Sequence, residues 1–275
     1  MRWWEKGNEE IELEELEEAE ELEEEGEGEK HLSLGIKITK ILIFYLVIGF
    51  VGWNFFYFMF NSEYCEIKEV IIKGNNQLSE EEIFYKSQIK LGDNIFKLSK
   101  DNTINYLKQD PWIKEAEVKR VIPDKIIISV EEREPSAIIY FNEEYFMADQ
   151  EGMVLSQIVQ PAEEFLPLIT GLETTELKVG KNIIEPEFRT ALEIINSANL
   201  ILPDKFYKIK ILAPDDFLIF STVNDLVVRA SQAEEMVSKG YLLKEAFEKI
   251  IKENLVVEYI DMRFKDRAVI KVKEQ

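Results

Sequence analysis

Between Ile41 and Phe60 the chain reads ILIFYLVIGFVGWNFFYFMF, twenty residues without one charged side chain. A helix rises about 1.5 Å per residue, so this stretch spans about 30 Å and matches the hydrocarbon core of a bilayer. Trp53, Phe55, Phe56, Tyr57, Phe58 and Phe60, then Tyr64, crowd its C-terminal end, where amphipathic rings sit at a membrane interface. A cleaved signal peptide has a shorter apolar region, about 7 to 15 residues, closed by small residues. Here Phe58, Met59, Phe60 and Asn61 follow instead. The stretch is read as an uncleaved signal anchor, one transmembrane helix within residues 36–62.

The flanks set its expected orientation. Lys30, Lys37 and Lys40 precede the helix, against Lys68 and Lys73 after it, a small excess for a cytoplasmic N-terminus. Length adds to this, because 215 residues follow Phe60 and a long domain is translocated largely regardless of its charge. The expectation is a single-pass cell-membrane protein, N-terminus cytoplasmic and C-terminus extracytoplasmic.

Residues 1–35 hold 15 Glu against Arg2, Lys6 and Lys30, a net of −12 out of the chain's −21, which leaves −9 for the other 240 residues. Ile11, Leu13, Leu16, Ala19 and Leu22 are loosely helical in spacing, but repulsion among the glutamates opposes a compact state. The segment is read as a disordered acidic cytoplasmic tail. Phosphate backbones require Lys and Arg, so the balance argues against nucleic acid. Cys65 is the only cysteine, which excludes an internal disulfide; it is read as an unpaired residue in a juxtamembrane linker.

Beyond the membrane the punctuation is clear. EIKEVIIK over 66–73 is β-branched and partly alternating, and Gly74-Asn75-Asn76 supplies a turn. Ser79 with Glu82 forms a capping box, and Leu78 with Ile83 stands at the staple positions, so a helix should run from Glu80 to near Gln88. A second should run from Lys100 to Gln109, stopped because Pro111 disfavours helical geometry at Asp110. Ala116 and Val118, then Ile126, Ile128 and Val130 after Pro123-Asp124, alternate as two strands of a hairpin. Both short helices must pack on one side of the resulting three-stranded sheet.

This β-α-α-β-β order, with VIIKGNNQLSEEEI, LGDNIFKL, DPWIKEAEVKRVIPDKIIISVEEREP and a short MADQEG, resembles a POTRA domain of the DivIB/FtsQ family of bacterial cell-division proteins. The likeness continues in LPLITGL and in YIDMRFKDRAVIKV, covers about residues 36–275, and is most specific at 110–135 and 259–264. It implies a non-catalytic scaffold of the division septum that binds small coiled-coil proteins of the FtsL and DivIC/FtsB kind. The acidic tail lies outside it.

Residues 135–275 read as a β-rich domain, with the POTRA unit at 64–134. Short apolar stretches at 137–141, 145–148, 153–157, 207–212, 217–221 and 226–230, broken by Gly and Pro, suit an antiparallel sheet. Helices are expected over Glu187 to Ala198 and Leu242 to Glu253. Val257 to Phe264 and Arg267 to Val272, around Lys265-Asp266, should close the chain as a hairpin. The fold class is therefore α+β: one transmembrane helix, a POTRA domain, then a mainly antiparallel β domain with two helices.

Catalytic signatures are missing. The single histidine, His31, lies in the tail, so triads and His-based metal sites are not available to the folded part. No phosphate-binding glycine loop occurs, and acidic pairs such as Glu143-Glu144 and Glu163-Glu164 are expected by chance among 54 Asp and Glu. Asp149-Gln150-Glu151-Gly152 lacks the spaced oxygens of a calcium loop and is read as a turn. Trp112 is read as a core or hinge anchor. Gly49 and Gly52 are three apart, not the four of a helix-dimer motif, and Asn54 could meet a neighbouring helix, headgroups or water. No enzyme activity, cofactor, metal or small-molecule substrate is expected.

The expected partner site is the terminal hairpin: Tyr259, Ile260, Asp261, Met262, Arg263, Phe264, Arg267, Ala268, Val269, Ile270, Lys271 and Val272. A last strand is commonly an edge strand, whose open N–H and C=O groups can pair with an incoming chain. Lys271 and Lys273 guard it against self-association, while Val269 and Ile270 leave it apolar. The resemblance points to the same C-terminal region for partner binding. The alternative is a membrane-anchored POTRA-type secretion or polypeptide-transport factor, which would add extended substrates to a sheet edge.

Overall fold

The structure is a computed structural model and describes residues 37–161 and 166–273. The acidic tail lies outside the described residues. Helix α1 (Lys37–Asn61) is, among them, the one helix long and apolar enough to cross a membrane, and its side chains lie exposed. Its two asparagines spend their amides on their own helix: Asn54 Nδ2 donates to Phe50 O at 2.8 Å and Asn61 Nδ2 to Tyr57 O at 2.9 Å. In lipid an unpaired amide donor is costly. A single 3₁₀ turn, Glu63–Cys65, follows under a Ser62 cap.

From Ile67 onward the chain is a second compact unit. Its first sheet has the order β1-β3-β2, with β1 (Glu69–Lys73), β2 (Ile113–Val121) and β3 (Lys125–Glu132). β1 runs parallel to β3 (Val70 opposite Ile126) and β2 antiparallel to it (Val118 opposite Ile128). Helices α2 (Glu80–Ser87) and α3 (Lys100–Leu107) precede β2, and Ile83, Leu107, Val118, Ile126 and Ile128 are buried. α2 starts at Glu80 under the expected reciprocal cap between Ser79 and Glu82. The hydrogen bond from the Ser79 backbone N–H holds the Glu82 carboxyl below its ordinary pKa.

The second sheet has nine strands in the order β12-β11-β10-β9-β8-β7-β4-β5-β6. They are β4 (Pro135–Phe141), β5 (Glu144–Asp149), β6 (Val154–Ile158), β7 (Leu168–Thr170), β8 (Phe206–Ala213), β9 (Asp216–Ser221), β10 (Val227–Ala230), β11 (Val257–Asp261) and β12 (Val269–Val272). Helices α4 (Pro186–Ile201) and α6 (Gly240–Glu253) cover the expected segments. They bury Phe188, Ala191, Leu192 and Ile195, and Leu243, Ala246, Phe247 and Ile250, in one cluster with Ile139, Ile169, Ile209, Ile219, Val228 and Ile260 from the strands.

The sheet is mainly antiparallel, yet β4–β7, β7–β8 and β10–β11 pair in parallel. Strand β7 and a third helix, α5 (Ala233–Ser238), were not expected. Three residues are too few to show alternation, and α5 has six residues and no side-chain cap, so neither carries a periodic signal. Parallel neighbours need a long crossover, and α4 provides it between β7 and β8.

The terminal hairpin is shorter than its sequence suggests. β11 stops at Asp261 and β12 begins at Val269, so Met262, Arg263, Phe264, Arg267 and Ala268 belong to the connection rather than to strands. Met262 N still donates to Arg229 O at 2.9 Å, and side chains hold the connection that follows. Asp261 Oδ1 accepts from Arg263 N at 3.0 Å, and the Lys239 ammonium holds the carbonyls of Met262 and Phe264 at 3.1 and 2.7 Å.

Candidate partner-binding edge

β12 forms one edge of the nine-stranded sheet. Its inner side pairs with β11: Val269 opposite Asp261, Ile270 opposite Ile260, Lys271 opposite Tyr259 and Val272 opposite Val257. Lys273 N also donates inward, to Val256 O at 2.9 Å. Amides alternate sides along a strand, so Lys271 and Val269 also donate inward, and the N–H groups of Ile270 and Val272 face the open side. The irregularity in this pair lies on β11, between Val257 and Tyr259, which leaves the alternation along β12 intact.

The edge has two faces. Ile270 packs against the core cluster with Val257 and Ala268. On the other face Lys271 Nζ lies 5.4 Å from the Tyr259 ring centroid and 2.8 Å from the Glu258 carboxylate, a pairing that raises the lysine's pKa. In the connection, the Arg267 guanidinium lies 5.4 Å from the Phe264 ring.

The predicted residues divide by accessibility. Phe264, Arg267, Lys271 and Val272 are exposed, and Tyr259, Arg263, Ala268, Val269 and Ile270 are half-buried. Ile260, Asp261 and Met262 are buried; they shape the edge from beneath and offer no side chain to a partner.

Next to the edge, across β9, β10 and the end of β11, lies a charge cluster that was not expected from the sequence. Arg229 on β10 grips Asp216 on β9 with two nitrogens, Nε to Oδ1 at 2.7 Å and Nη2 to Oδ2. Arg263 grips Asp261 with Nε at 3.0 Å and Nη2 at 2.8 Å, and its Nη1 lies 3.4 Å from Asp216. Hydrogen bonds from Arg229 hold Asp216 below its ordinary pKa. Burial would raise Asp261, but the side-chain and backbone bonds from Arg263 outweigh it and lower its pKa too. Arg229 and Arg263 are raised in turn, chiefly by Asp216 and Asp261 respectively. Two planar forks on two carboxylates fix orientation as well as charge.

Lys239, between α5 and α6, completes the arrangement. It is 7% exposed, pairs with Glu235 at 3.4 Å and grips the two carbonyls of the connection. A signal existed for Arg229, a lone charge inside an otherwise apolar strand. Lys239 showed only its spacing from Glu235, because the carbonyls it grips are more than twenty residues away.

Among the described residues no group of three His, Cys, Asp or Glu could hold a metal ion. The architecture is a three-stranded unit with two helices and a larger sheet that ends in an open strand, preceded by one helix able to cross a membrane.

Comparison with known proteins gives the family. The model of the FtsQ-type POTRA domain matches residues 65–133, and that of the C-terminal domain of cell division protein FtsQ/DivIB matches 137–263. The chain is 24% identical over 217 residues to cell division protein FtsQ of Syntrophotalea carbinolica, covering 78% of this chain and 76% of the relative. It is 26% identical over 221 residues to cell division protein DivIB of Clostridium tetani, covering 78% and 82%. It is 34% identical over 140 residues to cell division protein FtsQ of Rickettsia felis, covering about half of each chain, 51% and 52%. The chain belongs to the FtsQ/DivIB family of cell division proteins, with the POTRA domain that was expected. It has a role in cell division. The C-terminal match ends at Arg263, so the placing of β12 as an edge comes from the sheet order alone.

Proposed function

We propose that the chain is a non-catalytic scaffold of the division septum, with its N-terminus cytoplasmic and both sheets outside the cell membrane. Its partner is a small single-pass coiled-coil division protein of the FtsL and DivIC/FtsB kind, which adds an extended segment to β12. The observation that carries this reading is the open edge itself, with the N–H groups of Ile270 and Val272 facing outward on a strand paired to β11. Main-chain pairing would give affinity, and the exposed Phe264, Arg267 and Lys271 would choose among partners.

The test is Val272→Pro. This removes one outward donor and no bond to β11, and proline is tolerated on an edge strand when its missing N–H faced solvent. The variant is expected to melt as cooperatively as wild type and to bind the partner at least about tenfold more weakly, the order expected from losing a main-chain bond together with the strand fit around it. Unchanged affinity in a folded variant would place the interface elsewhere.

A further inference from the structure

Two motifs, EREP at 132–135 and DQEG at 149–152, have no part in the edge described above, and the structure brings them together. Only Arg133 and Glu134 separate the last strand of the first sheet from the first strand of the second. The Arg133 backbone N–H stays tied to the first sheet, donating to Trp112 O at 2.8 Å. Its guanidinium reaches the β5–β6 turn of the second, with Nη1 at 2.5 Å from Asp149 and 2.8 Å from Glu151. Lys114 on β2 makes a second bridge, 3.4 Å to Glu151 and 3.6 Å to Glu131.

The turn that presents Glu151 is built in advance. Asp149 Oδ1 accepts from Glu151 N at 2.9 Å and Met153 N at 2.8 Å. Gly152 stands at φ +91, where a Cβ would lie 3.1 Å from Ile183 O. Arg189 on α4 donates to Glu151 O at 3.3 Å, so the turn is anchored to the second sheet's helix layer. The side chains of Lys114, Arg133 and Glu151 line a cleft of about 730 Å³ between the two sheets. By contrast, the apolar cluster of the second sheet draws on residues from Ala137 onward. The junction is crossed by charge pairs around a two-residue link, and the Pro111 ring of the first unit lies beside Gly180 of the second.

We infer that Lys114, Arg133 and Glu151 form an ionic latch that sets the angle between the two sheets, with residues 133–134 as the hinge. Glu151 is the shared acceptor, so its loss frees Lys114 from the second sheet and leaves Arg133 held there by Asp149 alone. Its carboxylate and that of Glu131 are 57% and 63% exposed, so added salt reaches and screens the bridges from Lys114. Arg133, 14% exposed against Asp149 at 7%, is the more protected part.

The test is pulsed electron resonance on the full chain in detergent, with nitroxides at Glu81→Cys and Lys244→Cys in a Cys65→Ser background. The latch predicts one narrow distance distribution at low salt, and broadening of that peak in about 1 M NaCl, where the Debye length falls to about 3 Å. Glu151→Gln should broaden the peak already at low salt. A single narrow peak in Glu151→Gln, or one that persists in wild type at high salt, overturns the latch. So does a broad wild-type distribution at low salt. Lys114→Gln, which lies outside the turn, serves as the second variant should Glu151→Gln fail to melt cooperatively; a narrow peak in it at high salt overturns the latch equally.

Discussion

Asp216 and Asp261 carry their charge in the folded chain at lower pH than an isolated aspartate would, because Arg229 and Arg263 stabilise the carboxylates. The sign of the consequence is fixed. A carboxyl whose folded pKa is depressed contributes stability in full above its unfolded value, and that contribution is lost as pH falls through the folded value. Urea unfolding should therefore show a plateau above the ordinary aspartate value of 3.8 and a decline below it. In Arg263→Gln burial acts on Asp261 with less opposition, so its folded pKa rises and the loss of stability below 3.8 should be smaller than in wild type; an unchanged acid limb would contradict the assigned cluster. The sequence showed Asp261 and Arg263 as neighbours in YIDMRF but not their purpose. That depends on Asp216, which reads locally as one more turn residue after Pro214 and Asp215, and on Lys239, whose partners are carbonyls.

At the scale of elements, β1 and β7 end alike. Each is followed by a glycine set against the neighbouring parallel strand: Gly74 at φ +84, where a Cβ would lie 2.1 Å from Val130 O, and Gly171 at φ +78, where it would lie 2.3 Å from Ile211 O. A side chain at either must push the backbones apart. Gly74→Ala is expected to cost about 3 kcal/mol, combining a left-handed backbone with a forced strand shift, measurable by urea denaturation; a loss below about 1 kcal/mol would show that the turn relaxes freely. The GNN turn and the Ser79 capping box were legible because both are local chemistry. The sheet order was not, since β7 is three residues long and reaches its place between β4 and β8 only through pairing with strands distant in sequence. The extent of the last hairpin was misjudged for a related reason: a β-rich composition runs on through Phe264, while the bonds of Asp261 and Lys239 to the connection are tertiary.

For the whole molecule, the charged run Glu131, Glu132, Arg133 and Glu134 before Pro135 marks the passage from one sheet to the other. Residues 64–134 expressed alone should melt cooperatively, and a broad non-cooperative transition would show a shared core instead. The orientation drawn from the flanks of α1 is tested by alkaline phosphatase fusions, active after Gln275 and inactive after Gly35, with the reverse pattern contradicting it. The central claim, that β12 takes up a partner strand, is tested most directly by amide hydrogen exchange resolved to single residues, with and without the coiled-coil partner. On this account the Ile270 and Val272 amides, open in the free chain, become protected in the complex, while those of Val269 and Lys271, already bonded to β11, change little. Protection confined to other parts of the chain, with Ile270 and Val272 exchanging as fast as before, would contradict it.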